Sequence, residues 1–319
     1  MKLSKHTQKY LIALAVLLTA GLSACDVLHD DLSGCDLYLK FRYDYNLDNE
    51  DRFAEQVEEV KIFVFDESGA FLRQFGESGG ALKRDGYRMR IPYELKGCRA
   101  VVWAGKTDRF YSLPVPAVGD PMERLTLEYG PENDLSDKRL DPLWHAGPVT
   151  MEFPEDGGTA QTVSLVRNTN DVAVGLTRGD APVGVSDFVI EITGANGAYD
   201  YKNAFAGNPR RITYRPCPET TTGETARLHT MRFVKGSDVS LAVRSVSSGR
   251  AIDIGGNTEI DLIGYLLKSK PDGMNDQEYL DRQYEWDVDI RLGDKSDNGY
   301  LALSITINGW TYWFHPIDM

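Results

Sequence analysis

The sequence predicts an all-β protein of two β-sandwiches in tandem, with one or two short helices. Three observations carry that expectation. Apolar residues recur with a period of two in short runs, as a pleated strand with one buried face requires. The runs are separated by Gly, Pro and Asp clusters every ten to fifteen residues or so, and no long helical period intervenes to support βαβ crossovers. The chain has 319 residues, and the 295 that follow residue 24 exceed what a single core usually supports.

Residues 1–24 have the layout of a secretory leader. Lys2, Lys5 and Lys9 form a basic start, and Leu11 to Leu18 is wholly apolar. The apolar stretch of about fifteen residues is short of the roughly twenty that span a bilayer. Cleavage after an A-x-A-like site would make Cys25 incidental. Leu22-Ser23-Ala24-Cys25, however, fits a bacterial lipobox at every position, and Cys25 is then lipidated and becomes the new N-terminus. Each buried CH₂ contributes about 0.8 kcal/mol, so several acyl chains on one residue hold firmly where a single chain would not. The expected anchor is therefore a covalent lipid on Cys25, with residues 25–35 as a polar tether.

The first sandwich is expected over 36–166. "DLYLKFRYD" (36–44) places Leu37, Leu39, Phe41 and Tyr43 on one face. "VEEVKIFVFDESG" (57–69) sets Val60, Ile62 and Val64 against Lys61, Phe63 and Phe65 and ends in an Asp/Ser/Gly turn. "YRMRIPY" (87–93) alternates, and "CRAVVWAG" (98–105) reads as a strand buried on both faces. "EDRFAEQ" (50–56) can form about two helical turns. Two Pro/Gly-rich breaks in 136–168 precede a change of composition, which sets the second sandwich at 167–319. Its strands are expected at 171–179, 185–199, 226–234, 238–245, 284–293 and 300–310, with "DNG" (297–299) as a hairpin turn. "TEIDLIGYLLKSK" (258–270) reads as a helix with Thr258 as N-cap and lysines at its C-terminal end.

Composition and motifs exclude more than they identify. The formal charge is −13, and loss of the leader's three lysines takes it to −16, which argues against nucleic acid as a partner. P-loop, G-x-G-x-x-G, H-E-x-x-H and G-x-S-x-G patterns are all missing. His29, His145, His229 and His315 lie far apart with no nucleophile pattern beside them, so no catalytic residue and no cofactor is expected. With Cys25 committed to lipid, Cys35, Cys98 and Cys217 remain. Cys35 and Cys98 border strands of the same half and are the simplest pair to bridge, and no Cys has a metal-type neighbour.

One loop has metal-like spacing. Counted from Asp44, "DYNLDNEDRFAE" places Asp44, Asn46, Asp48, Glu50 and Glu55 at positions 1, 3, 5, 7 and 12 of a calcium loop. Asn49 replaces the usual Gly at position 6, although Asn tolerates a positive φ, and the loop is flanked by a strand and not by two helices. The plainer reading is an acidic loop with Asp48 or Asn49 capping the helix that follows.

A resemblance runs almost end to end. The lipobox Cys25, "GCDLYLKFRYDYN", "FAEQVEEVKIFVFDESGAFL", "VVWAG", "PLWHAG", "VSLVRNTNDVAVGL", "ARLHTMRF", "IDLIGYLL", "DQEYLDRQYEWDVDIRL" and "ITINGW" follow one another in the order and spacing of the FimB-type fimbrial anchor-subunit family of Bacteroides-like bacteria. The chain resembles that family over roughly residues 22–310. The resemblance implies two transthyretin-like β-sandwiches, no enzymatic activity, an outer-membrane lipid anchor exposed at the cell surface, and a fimbrial stalk subunit as partner, bound by strand exchange. Only "TYWFHPIDM" follows Trp310, a poor free donor strand, which suits an end-of-chain role. Other readings are an adhesin or accessory fimbrial subunit, or a glycan-binding surface lipoprotein that uses aromatic strings such as "WTYWF". Asp26 marks inner-membrane retention in some Gram-negative bacteria, so sequence alone leaves both membranes open.

Overall fold

The computed structural model describes residues 37–152, 160–207, 209–295 and 299–314. The fold is all-β, with several sheets and three short helices among the described residues. The first half supplies β1 (Leu37–Arg42), β2 (Glu59–Phe65), β3 (Phe71–Ser78), β4 (Met89–Ile91), β5 (Arg99–Ala104), β6 (Tyr111–Ser112), β7 (Leu127–Tyr129), β8 (Leu135–Ser136), β9 (Trp144–Thr150), β10 (Ala160–Ser164) and β11 (Val166–Arg167). A three-stranded sheet ordered β10-β1-β4 lies over a five-stranded sheet ordered β11-β9-β5-β2-β3. Leu37, Leu39, Phe41 and Tyr43 all point into the core between the two sheets, as their alternation requires.

The five-stranded sheet is buried on both faces, and the alternation of β2 and β5 shows why. Val60, Ile62 and Val64, with Ala100, Val102 and Ala104, face the three-stranded sheet. Phe63, Phe65, Val101 and Trp103 face the other way, into a larger core that continues into the second half of the chain. Residues 106–143 make that continuity. They leave β5 at Gly105, where φ is +102° and a Cβ would sit 2.2 Å from the Pro142 carbonyl, so the exit admits only glycine.

The second half supplies β12 (Thr169–Arg178), β13 (Ala181–Pro182), β14 (Phe188–Gly194), β15 (Ala198–Tyr199), β16 (Ile212–Tyr214), β17 (Thr225–Met231), β18 (Val239–Ser245), β19 (Ile260–Asp261), β20 (Glu285–Asp294), β21 (Tyr300–Ile307) and β22 (Trp310–Trp313). One sheet runs β13-β12-β20-β21-β22, with β17 alongside β12. Its partner runs β19-β18-β14-β16-β8, so its last strand is borrowed from the 106–143 excursion. β7 likewise pairs with β15, Leu127 opposite Tyr199. Three pairings among the described residues, β1 with β10, β12 with β20 and β16 with β8, are parallel.

Helices differ from expectation in detail. The first is a single turn, Phe53–Gln56, with Phe53 stacked on Phe41 at 5.7 Å. The second, Leu262–Lys268, starts later than its sequence suggests. Asp261 caps it by accepting from the Gly264 N–H at 3.0 Å, because Ile260 is drawn into a strand pair with Leu241. A third helix, Asp276–Arg282, is capped by Asn275, whose side chain accepts from the Gln277 N–H at 2.9 Å.

Candidate functional site

The metal-like loop forms part of the contact between the two halves. Asn46 is buried, and its amide is spent inside the loop: Nδ2 donates to the carbonyls of Tyr43 at 3.0 Å and Glu50 at 2.8 Å. Asp44 pairs with Arg42 at 2.9 Å and Asp48 with Arg52 at 2.5 Å, while Glu50 and Glu55 are exposed. Among the described residues no three His, Cys, Asp or Glu side chains gather as a metal site would require. Asn49 does take the left-handed conformation, with φ of +56°. The carboxylate that serves the helix is Asp51, which accepts from the N–H groups of Phe53 at 3.1 Å and Tyr43 at 3.0 Å; neither Asp48 nor Asn49 caps it.

What the loop binds is Arg282, at the end of the third helix. Its guanidinium lies 4.2 Å from the centroid of Tyr45 and donates to the Asn46 carbonyl at 3.1 Å and to Asn49 Oδ1 at 3.0 Å. The preceding residue, Asp281, turns toward the second sandwich. It holds Arg232 in a buried two-pronged pair at 2.7 and 2.8 Å. Burial alone would lower the Arg232 pKa, but the hydrogen bonds to Asp281 outweigh it and raise it. Two consecutive residues thus fasten one helix to both halves.

Buried polar residues fill the rest of the junction. Arg167 lies 3.8 Å from the Tyr284 ring and 5.8 Å from the Trp144 ring, and reaches Asp171 at 3.2 Å. Asp171 also accepts from the His229 ring. Burial pushes its carboxyl pKa up, but the His229 hydrogen bond and the charge of Arg167 overcome this and hold it below the usual range. Asn168 and Asn203 exchange side-chain hydrogen bonds.

The histidines serve the same junction. His145 is buried, packs edge-on against Trp103 at 4.6 Å, and has Nε2 3.1 Å from the Tyr201 carbonyl, which can only accept. Burial drives its pKa down to about 3, so the ring is neutral. His229 lies between Asp171 and Thr220, whose hydroxyl is 3.1 Å from Nε2, and is mostly covered. Cys98 and Cys217 are buried, and burial raises the Cys98 thiol pKa. Cys25, Cys35, His29 and His315 lie outside the described residues, so neither the lipid site nor the Cys35–Cys98 pairing is placed.

Sheet edges are the other feature of note. β22 ends its sheet, and among the described residues no strand pairs with its outer side. Tyr312 on this strand packs against Tyr265 at 6.3 Å, and Lys268 lies 3.9 Å from the Tyr265 ring. Trp310 and Trp313 are 62% and 49% exposed, whereas Trp103, Trp144 and Trp286 are fully buried. Trp310 lies opposite Ile307 and Trp313 opposite Ser304; three residues apart on a regular strand, they point to opposite faces. No described helix is long and apolar enough to cross a membrane.

Comparison with known proteins agrees with this architecture. A proposed polysaccharide-binding protein from Bacteroides thetaiotaomicron has 27% identity and a TM-score of 0.76, covering 89% of this chain and 100% of its own. A proposed adhesin from Bacteroides ovatus has 24% identity and a TM-score of 0.75, covering 93% and 100%. The fimbrial anchor protein Mfa2 from Porphyromonas gingivalis has 19% identity and a TM-score of 0.68, covering 87% and 98%. A search of curated proteins gave no match. Residues 32–315 match the profile of the fimbrillin-A associated anchor proteins Mfa1 and Mfa2, and the chain therefore belongs to that family of fimbrial anchors.

Proposed function

We propose that this protein holds the base of a fimbria at the cell surface, with lipid on Cys25 in the outer membrane and a stalk subunit bound by strand addition. Family membership over residues 32–315 is the observation that supports it. The role is mechanical and not catalytic. The tether from Cys25 joins β1 at Leu37, so membrane and fimbria are served by different parts of the molecule.

The β22 edge suits the second task. Soluble proteins normally blunt an open edge with charge, proline or a covering loop, because its free N–H and C=O groups accept another strand. Here two exposed tryptophans flank the edge instead, one on each face. A strand added alongside would gain main-chain hydrogen bonds from β22 and apolar contact above and below. A glycan platform would want both rings on one face, and Trp310 and Trp313 are not so arranged.

The test uses the soluble Cys25→Ser chain, immobilised and offered the stalk subunit from the same cells. Retention of the stalk subunit is expected. Replacing both Trp310 and Trp313 by Lys should weaken it more than tenfold, since burying one such side chain contributes about 1.5–3 kcal/mol. Failure to retain any fimbrial subunit contradicts the anchor reading; retention unchanged in the double variant contradicts β22 as the docking edge.

A further inference from the structure

We infer that β1 and β10 form a tension-bearing clamp, placed where load from the fimbria passes to the tether. The inference rests on the anchor reading, because it takes load to enter the fold at the start of β1. The two strands are parallel and in unbroken register, Tyr38 opposite Ala160 through Arg42 opposite Ser164. The Leu165 N–H donates to the Arg42 carbonyl at 2.8 Å and extends the ladder by one step.

Direction decides how this ladder is loaded. The tether pulls β1 from its N-terminal end, Leu37. The far end of β1 leads to the junction, where Tyr45 meets Arg282. β10 runs the same way and passes through β11 into β12 of the second sandwich. A pull between the membrane and the second sandwich therefore draws β1 and β10 from opposite ends along their common axis. Evenly spaced parallel-ladder bonds then share the load at once, whereas a pull across the strands would open them one at a time. On its other side β1 is held by β4, with Leu37, Tyr38 and Leu39 opposite Ile91, Arg90 and Met89, and these pairs are also loaded lengthwise. While the clamp holds, residues 43–152 lie off the direct path between the two strands.

Packing locks the ladder from below. Leu37, Leu39, Phe41 and Val163 are buried in the core shared with the five-stranded sheet, so β1 cannot slide without dragging apolar side chains out of register.

Single-molecule measurement at constant force tests this, on the full chain from residue 25 with handles at residue 25 and at Asp180, which lies exposed between β12 and β13. For the unsubstituted chain, rupture should show a weak force dependence, with a distance to the transition state of about 3 Å, comparable with one hydrogen bond or one residue step. A distance of about 10 Å or more means sequential peeling and overturns the clamp. Val163→Ala, in the clamp, should speed rupture about tenfold through lost burial. Val101→Ala, equally buried but on the face of β5 turned away from β1 and β10, should change the rate less than about twofold, since its contacts persist when the two strands part. Equal acceleration by both variants also overturns the proposal. Shedding of fimbriae from cells tests the anchor reading separately, so a failure of either is distinguishable from a failure of the other.

Discussion

Arg282 stacks on Tyr45, its guanidinium 4.2 Å from the ring centroid, although 237 positions separate the two in the chain. The contact turns an acidic, metal-like loop into a seat for the second sandwich. Replacing Arg282 by Ala should lower stability by about 1–3 kcal/mol, the sum expected for a partly covered cation–π contact and hydrogen bonds to the charged group. Arg282→Lys should recover little, because an ammonium lacks the planar fork that meets Asn46 and Asn49 together with the ring. Denaturant unfolding of the three proteins provides the comparison.

The neighbouring buried pair behaves differently. Asp281→Ala leaves Arg232 charged and uncompensated, at a cost of about 3–5 kcal/mol. Removing both charges, as Arg232→Met with Asp281→Leu, should restore most of that loss, since a buried ion pair is often no better than apolar packing of similar volume. A double variant as unstable as Asp281→Ala would show that the pair has a role beyond neutralising its own charge.

Acid should weaken the junction by a defined route. His145 titrates near 6.5 when unfolded but only near 3 in the fold, so below pH 6.5 the unfolded state takes up a proton that the native state refuses. Stability from this group is whole above pH 6.5 and falls as pH drops toward 3, by about 2 kcal/mol between pH 7 and pH 5. Asp171, with its folded pKa depressed, adds a further loss only in the acid range of carboxylates. Denaturant midpoints at pH 7 and pH 5 should differ accordingly, and His145→Phe should remove most of the difference.

Calcium should leave the chain unchanged. Asn46 spends its side chain on loop carbonyls, and Asp44 and Asp48 are paired with arginines. Melting temperatures in millimolar calcium and in a chelator should agree within error; a rise of several degrees with calcium would return the loop to its metal reading.

The alternating strands are the part of this fold most legible from sequence. β1, β2 and β5 occupy the positions their periodicity indicates, and the two-faced burial of "CRAVVWAG" is realised by Val101 and Trp103 on one side and Ala100 and Val102 on the other. β3 is harder to read, because Phe71, Leu72 and Phe75 do not alternate cleanly and much of this edge strand is half exposed. The borrowed strand β8 has only two residues, Leu135 and Ser136, too few for any period; its pairing with β16 is a tertiary fact. The third helix does leave a local trace, Asn275 as cap, acids in the first turn and Arg282 in the last, but seven residues carry little amphipathic signal. The calcium spacing misleads because side-chain spacing along a loop says nothing of which distant groups will meet it, and Arg282 could be found only in the folded chain.

Attachment of the fimbria to the cell through Cys25 is put to the test by fimbriae on Cys25→Ala cells. Fimbrial stalk protein should move from the cell fraction to the medium, with total stalk protein unchanged and the variant protein itself released from the membrane. Fimbriae that stay attached to cells carrying only the Cys25→Ala protein would contradict it.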